Sequence, residues 1–169
     1  VVGAATVGKI AGLKRLIAFD MGGTSTDVSR FDGDFNYCQP HQVGRAHLMA
    51  PALQIETVAA GGGSICGIEG GLLFVGPQSA GAEPGPACDG AGGPLTITDV
   101  NLLLGRLDLD SFNLPVFPDA AETRFEEVHS KHGGTRVELL LGCLALANER
   151  MASTNRKKSE REGYDPADH

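Results

Sequence analysis

Apolar positions follow two rhythms along the 169-residue chain, helical at its start and towards its end and extended after the first helix. At the start, Val1, Val2, Val7, Ile10 and Leu13 recur among small residues at helical spacing, and Gly12 supplies a C-cap, so the pattern predicts a helix over 1–13. Leu16-Ile17-Ala18-Phe19 is a short continuous apolar run that fits a buried central strand, ending in Asp20 and the loop Met21-Gly22-Gly23-Thr24. Beyond the loop, Thr26, Val28 and Phe31 continue in extended alternation to the hairpin-turn pair Asp32-Gly33, after which Phe35, Tyr37 and Cys38 resume it. Strands are therefore expected from residues 15 to 38, with a further one at Leu72-Leu73-Phe74-Val75.

Three helices are expected from residue 98 onward. Thr98 is an N-cap for a helix over Asp99 to Leu107, with Val100, Leu102, Leu103 and Leu104 turned inward. Asp119-Ala120-Ala121-Glu122 has capping-box spacing and opens a helix to about His132, stopped by Gly133-Gly134. The third, about Val137 to Met151, is apolar on nearly every side between Leu139 and Ala147 and is expected to be buried, with Gly142 permitting close packing. The fold class read from this order is mixed α/β.

Composition changes that picture in one respect. The chain has 24 glycines, about twice the usual share. They gather between Ala50 and Gly93, in Ala59-Ala60-Gly61-Gly62-Gly63-Ser64 and in the Pro-Gly block from Gly76 to Cys88. Interspersed Ile55, Val58, Ile65, Ile68 and prolines point to ordered loops rather than a flexible linker. The net charge of −7 and pI of about 5.1 speak against nucleic acid as a partner, which needs a basic face. Arg156-Lys157-Lys158 is followed by acids and reads as a solvated helix face. Cys38, Cys66, Cys88 and Cys143 lack metal-ligand spacing and read as packed thiols of a reducing cytoplasm. The longest uncharged apolar run, Leu139 to Ala147, is far too short to cross a membrane. Val1 is not Met, and both ends read as cut from a longer chain.

The sharpest chemical signal is Asp20-Met21-Gly22-Gly23-Thr24-Ser25-Thr26-Asp27-Val28. Gly22 and Gly23 remove Cβ atoms that would keep a phosphate from the backbone N–H groups, and Thr24, Ser25 and Thr26 add hydroxyl donors. Asp20 and Asp27 suit a Mg²⁺ held largely through water. Because the loop joins strand to strand, it differs from dinucleotide and Walker loops, which open into a helix. A plain β-turn with a hairpin accounts for the same residues. Glu56, ahead of Gly61-Gly62-Gly63-Ser64, has the chemistry of a general base, and Ser64 that of an oxyanion donor; structural turns explain these residues equally. Nothing places a base beside Cys88, and the five histidines are scattered.

The loop resembles the second phosphate loop of the actin-like ATPase superfamily. Residues Ile17 to Ser29, Glu56 to Ile65, Val75 to Cys88, Thr98 to Leu107 and Gly163-Tyr164-Asp165-Pro166 resemble, in order, blocks of the hydantoinase A/5-oxoprolinase family, closest to its ATP-dependent 5-oxoprolinase branch. The resemblance implies that 1–169 is a single partial domain, a fragment of the catalytic domain, forming part of an actin-like (ribonuclease H-like) lobe with a Gly/Pro-rich insertion. It implies ATP-dependent ring opening of a cyclic amide such as 5-oxoproline or a hydantoin. ATP and Mg²⁺ would be the cofactors, and Asp20, Asp27 and Glu56 the catalytic residues. The remainder of the enzyme, or a second hydantoinase B-like subunit, would be the partner. Two other readings are a non-catalytic piece that pairs with the rest of such an ATPase, and carbonyl activation as in acetone carboxylases. The chain departs from the pattern by lacking the first phosphate loop and the adenosine-binding segment. It also departs at polar Asn155, Lys158 and Glu160, and at Asp89 where an aromatic residue is usual.

Overall fold

The computed structural model describes residues 1–38, 41–43, 46–48, 50–112 and 114–161. It divides into two compact units, one of Val1–Asp20, Asp27–Thr57 and the chain from residue 154 on, the other of Met21–Thr26 and Val58–Ser153. The Gly163 to Pro166 block and the side chains of Asn155, Lys158 and Glu160 lie outside the described residues.

The first unit opens with helix α1 (Val2–Ile10), and Gly12 leaves it at φ +74, a conformation that favours glycine. Strands β1 (Arg15–Met21) and β2 (Thr26–Asp32) follow. The turn after β2 is the one the Asp-Gly pair predicts: Gly33 takes φ +86 while Phe31 and Phe35 bridge across it, ring centroids 5.2 Å apart. Next come β3 (Tyr37–Cys38), β4 (His41–Val43), β5 (Ala46–Leu48) and β6 (Ala52–Leu53). The antiparallel pair β4–β5 is nested inside the antiparallel pair β3–β6. Strand β7 (Glu56–Val58) completes a sheet of order β1-β2-β7.

That order reverses one expectation. The apolar run Leu16 to Phe19 forms an edge strand with Phe19 51% exposed, and the central place goes to β2, where Val28, Ser29, Arg30 and Phe31 are all buried. A four-residue apolar run marks a strand but not its number of neighbours.

In the second unit, β8 (Ser64–Glu69) and β9 (Leu72–Ser79) form an antiparallel hairpin. Helices α2 (Ile97–Leu103), α3 (Pro118–His129) and α4 (Arg136–Arg161) follow. The core joins Cys66 and Val75 of the hairpin to Ile97, Val100, Phe125 and a stripe on α4 of Leu139, Leu140, Cys143, Leu144, Ala147 and Met151. The stripe has three- and four-residue spacing, so α4 buries one face only; Leu141 and Leu146 are exposed, contrary to burial on all sides. Gly142 does permit close packing, since a Cβ there would lie 2.8 Å from Leu73 Cδ2.

Two helix starts also differ from expectation. α2 begins after Thr96, because Asp99 stands three residues on and accepts from the Thr96 N–H and hydroxyl, both at 2.8 Å. α3 begins at Pro118, whose fixed φ suits the first helical position; Glu122 pairs with Arg136 (Nη2 to Oε2, 2.7 Å) instead of closing a box on Asp119. Among the described residues no helix is long and apolar enough to cross a membrane.

Candidate functional site

The loop between β1 and β2 is closed by the Gly22 N–H donating to the Ser25 carbonyl at 2.8 Å. Its two glycine carbonyls turn into the unit. Gly22 O accepts from the Gly62 N–H at 3.0 Å, and Gly23 O from the Gly63 N–H at 2.6 Å. Both peptide bonds of the loop are trans. In a planar trans peptide the N–H points opposite to the C=O, so locking these carbonyls inward turns the Gly23 and Thr24 N–H groups outward. Among the described residues neither of those groups has an acceptor, and the Thr24 and Ser25 hydroxyls have no partner. Gly22, Gly23 and Thr24 are exposed. Two adjacent N–H donors and two hydroxyls without a partner among the described residues, on a loop open to solvent, are groups with the chemistry to take up an anion.

Thr26 is placed differently from its neighbours. Its hydroxyl is 0% exposed and donates to the Ala60 carbonyl at 2.7 Å, with Met151 Sδ at 3.4 Å, so it anchors the loop rather than facing a ligand. Ser64 is likewise occupied: its buried hydroxyl accepts from the Gly61 N–H at 2.9 Å, closing the 61–64 turn.

The two glycine clusters thus form one device. A Cβ on Gly61 would lie 2.6 Å from Gly22 O and 2.7 Å from Gly23 O, so the backbones touch with no room for a side chain. Behind them, Gly62 O accepts from the Thr98 N–H at 2.8 Å and from the Thr98 hydroxyl at 3.0 Å. Asp99, next in sequence and 0% exposed, accepts from the N–H groups of Ala87 (3.1 Å), Cys88 (2.7 Å) and Thr96, and from the Thr96 hydroxyl. It ties the end of the Pro-Gly block to the start of α2. Burial and the neighbouring Asp99 carboxylate push the Cys88 thiol up to about 12, which keeps it protonated near neutrality and unsuited to nucleophilic attack.

The carboxylates lie in the first unit. Asp20 is exposed near the end of β1, Asp27 is exposed on β2, and Glu56 is half-buried on β7. Asp27 Oδ1 accepts from the Thr57 hydroxyl at 2.7 Å, which orients its carboxylate. Among the described residues no three His, Cys, Asp or Glu side chains converge as a metal cage. Two exposed carboxylates with water completing the shell are a donor set that Mg²⁺ accepts. Sequence reasoning missed Thr57 and Thr98 as site residues, because their hydrogen bonds reach across 30 and 36 residues.

The family model for hydantoinase/oxoprolinase proteins matches residues 1–169, the whole chain. The chain belongs to this family. Hydantoinase/oxoprolinase relatives include the 5-oxoprolinase PfmaA of Pestalotiopsis fici, 46% identical over 168 residues that cover 91% of this chain and 13% of that protein. The caprolactamase of Pseudomonas jessenii is another. Its subunit alpha is 39% identical over 93% of this chain and 24% of its own length. A crystal structure of ATP-dependent caprolactamase from that organism superposes with a TM-score of 0.82, at 35% identity over 96% of this chain and 25% of the other. A nucleotide-free acetone carboxylase, from a study of ATP-dependent acetone carboxylation, gives a TM-score of 0.86 at 25% identity, covering 99% of this chain and 25% of that one. The chain thus spans between about an eighth and a quarter of the length of these relatives.

Proposed function

We propose that the chain is part of the catalytic domain of an ATP-dependent amidohydrolase that opens a cyclic amide, with the Gly22 to Ser25 loop holding a phosphoryl group. The observation carrying this reading is the pair of outward N–H groups on Gly23 and Thr24, their carbonyls fastened by Gly62 and Gly63. Fixed donors aimed at an anion cost no reorganisation when it binds. The relatives named 5-oxoprolinase and ATP-dependent caprolactamase supply the substrate class, 5-oxoproline, a hydantoin or a larger lactam. In this reading residues 1–169 are one partial domain within an actin-like, ribonuclease H-like lobe, and the free buried thiols suit a cytoplasmic setting.

ATP would supply the activation that an unreactive amide needs, since phosphorylating the carbonyl oxygen makes the ring carbon open to water. The roles we assign to the chain's own groups are the following. Gly23 and Thr24 N–H, with the Thr24 and Ser25 hydroxyls, bind and orient the phosphoryl oxygens. Asp20 and Asp27 flank the loop in the chain and would hold Mg²⁺ and its waters, Asp27 being set by Thr57. Glu56, on the strand that carries Thr57, is the candidate base for the attacking water. The name of the caprolactamase subunit alpha supports a second subunit or the remainder of a longer chain as partner.

The test is ATP hydrolysis by the full-length protein with Mg²⁺ and any partner subunit, with and without 5-oxoproline, hydantoin or caprolactam. Stimulation by one of them identifies the substrate, and no stimulation by any overturns the reading. The likeness to acetone carboxylase favours a second reading, in which the same core activates a ketone for carboxylation. Hydrolysis that responds to bicarbonate and acetone but to no cyclic amide selects it.

A further inference from the structure

The hydrogen bonds behind the loop run in two lines, each alternating carbonyl and amide of one peptide. In the first, the Thr98 hydroxyl and N–H grip Gly62 O, the Gly63 N–H on the same peptide donates to Gly23 O, and the Thr24 N–H on the next peptide faces outward. In the second, the Ser64 N–H donates to Gly61 O at 3.1 Å, the Gly62 N–H donates to Gly22 O, and the Gly23 N–H faces outward. Each trans peptide hands its orientation to the next, because fixing a C=O fixes the N–H opposite. Serial hydrogen bonds of this kind also polarise one another in the same sense, strengthening the terminal donor.

The lines differ in where they start. The second begins inside the glycine turn, whereas the first begins on a side chain at the start of α2, a helix pinned by the buried Asp99 and by Val100 in the core. We propose that Thr98 is a positioning residue for phosphate binding, acting through the Gly62–Gly63 peptide to hold the Thr24 N–H in place. This rests on the phosphate reading of the loop. Thr98 touches no ligand in this scheme. Its hydroxyl limits rotation of a peptide that carries no side chain of its own to resist it, and glycine at 62 is needed because a Cβ there would lie 2.8 Å from the Thr98 Oγ1.

The experiment uses the full-length protein in three forms: wild type, Thr98→Val and Thr98→Ser. Valine keeps the shape and the backbone N–H but removes the hydroxyl; serine restores it. The first readout needs no nucleotide. Amide hydrogen exchange of the peptides containing residues 20–28 and 58–66 should be about three- to ten-fold faster in Thr98→Val, with Thr98→Ser close to wild type. The second is steady-state ATP hydrolysis, where KM for ATP should rise by about the same factor in Thr98→Val while KM for the cyclic amide stays unchanged. Unchanged exchange in both peptides, or equal shifts in the two KM values, overturns the positioning role even if ATP hydrolysis is normal in wild type. A wild-type protein that neither binds nor hydrolyses ATP sinks the phosphate reading, and this inference with it. If Thr98→Val fails to fold, a Thr98→Ser variant that exchanges and turns over unlike wild type overturns the proposal instead.

Discussion

The two glycine clusters are alike in composition and opposite in what the glycines do. At Gly61 a Cβ would strike the backbone of Gly22 and Gly23, whereas at Gly23 a Cβ would meet nothing within 4 Å. The inner cluster is glycine because two backbones must touch. The outer one meets no such obstruction, with only Ser25 O at 3.4 Å from a Cβ on Gly22, and under the proposed phosphate reading the open side is where a ligand would come. A loop's glycines therefore have to be separated by what lies beside them before their number says anything about binding.

The comparison gives its largest effect at Gly61→Ala, which should cost about 3 kcal/mol of stability, since the obstructing atoms are backbone and cannot step aside cheaply. Gly23→Ala should stay within about 1 kcal/mol of wild type yet weaken ATP binding, as chemical denaturation and nucleotide titration would show. Equal destabilisation by the two would break the contrast. Asp99→Asn should cost about 2 kcal/mol in the same denaturation assay, because the amide NH₂ meets donors where an oxygen accepted them. Thr57→Val should lower ATP turnover a few-fold and raise the Mg²⁺ concentration needed for half-maximal rate, with Thr57→Ser restoring both. No change in Mg²⁺ dependence would remove Thr57 from the orientation of Asp27.

The smallest effect lies far from the loop, at Glu122. Its hydrogen bonds to Arg136 hold its carboxyl below the usual range, so the pair stabilises the fold above the free glutamate value of about 4.3 and loses that contribution as pH falls through the lower folded value. Both side chains are substantially exposed, and Glu122→Gln should cost under about 1 kcal/mol at pH 7. The difference from wild type should vanish in acid; a difference that grows there would refute the ion pair as its source.

What the sequence revealed follows the range of the interactions. The Asp32-Gly33 turn and the strand-to-strand setting of the loop were legible, because backbone φ and apolar alternation act locally. The nested strands β4 and β5 had no such signal, being three residues each in a polar stretch. Thr98 is the cap the sequence suggests, and Thr96 is the one the structure uses. Asp99 chooses Thr96, and that choice frees the Thr98 hydroxyl to reach Gly62, a consequence no local rule contains. Of the loop residues, Thr26 looks like one more hydroxyl donor in sequence and is spent on Ala60 in the structure. The fastening of Gly22 and Gly23 by Gly62 and Gly63 spans forty positions and could be seen only in three dimensions.

The edge strand β1 bears on handling as well as on chemistry. It leaves Phe19 and Met21 exposed, and α1 in the same stretch of chain exposes Val2, Val7 and Ile10, the last at 82%. An edge with no second neighbour among the described residues, beside apolar side chains, is a template on which identical strands can add. Produced by itself, a chain of this extent would self-associate as its concentration rises, and light scattering would register that before any assay of activity did.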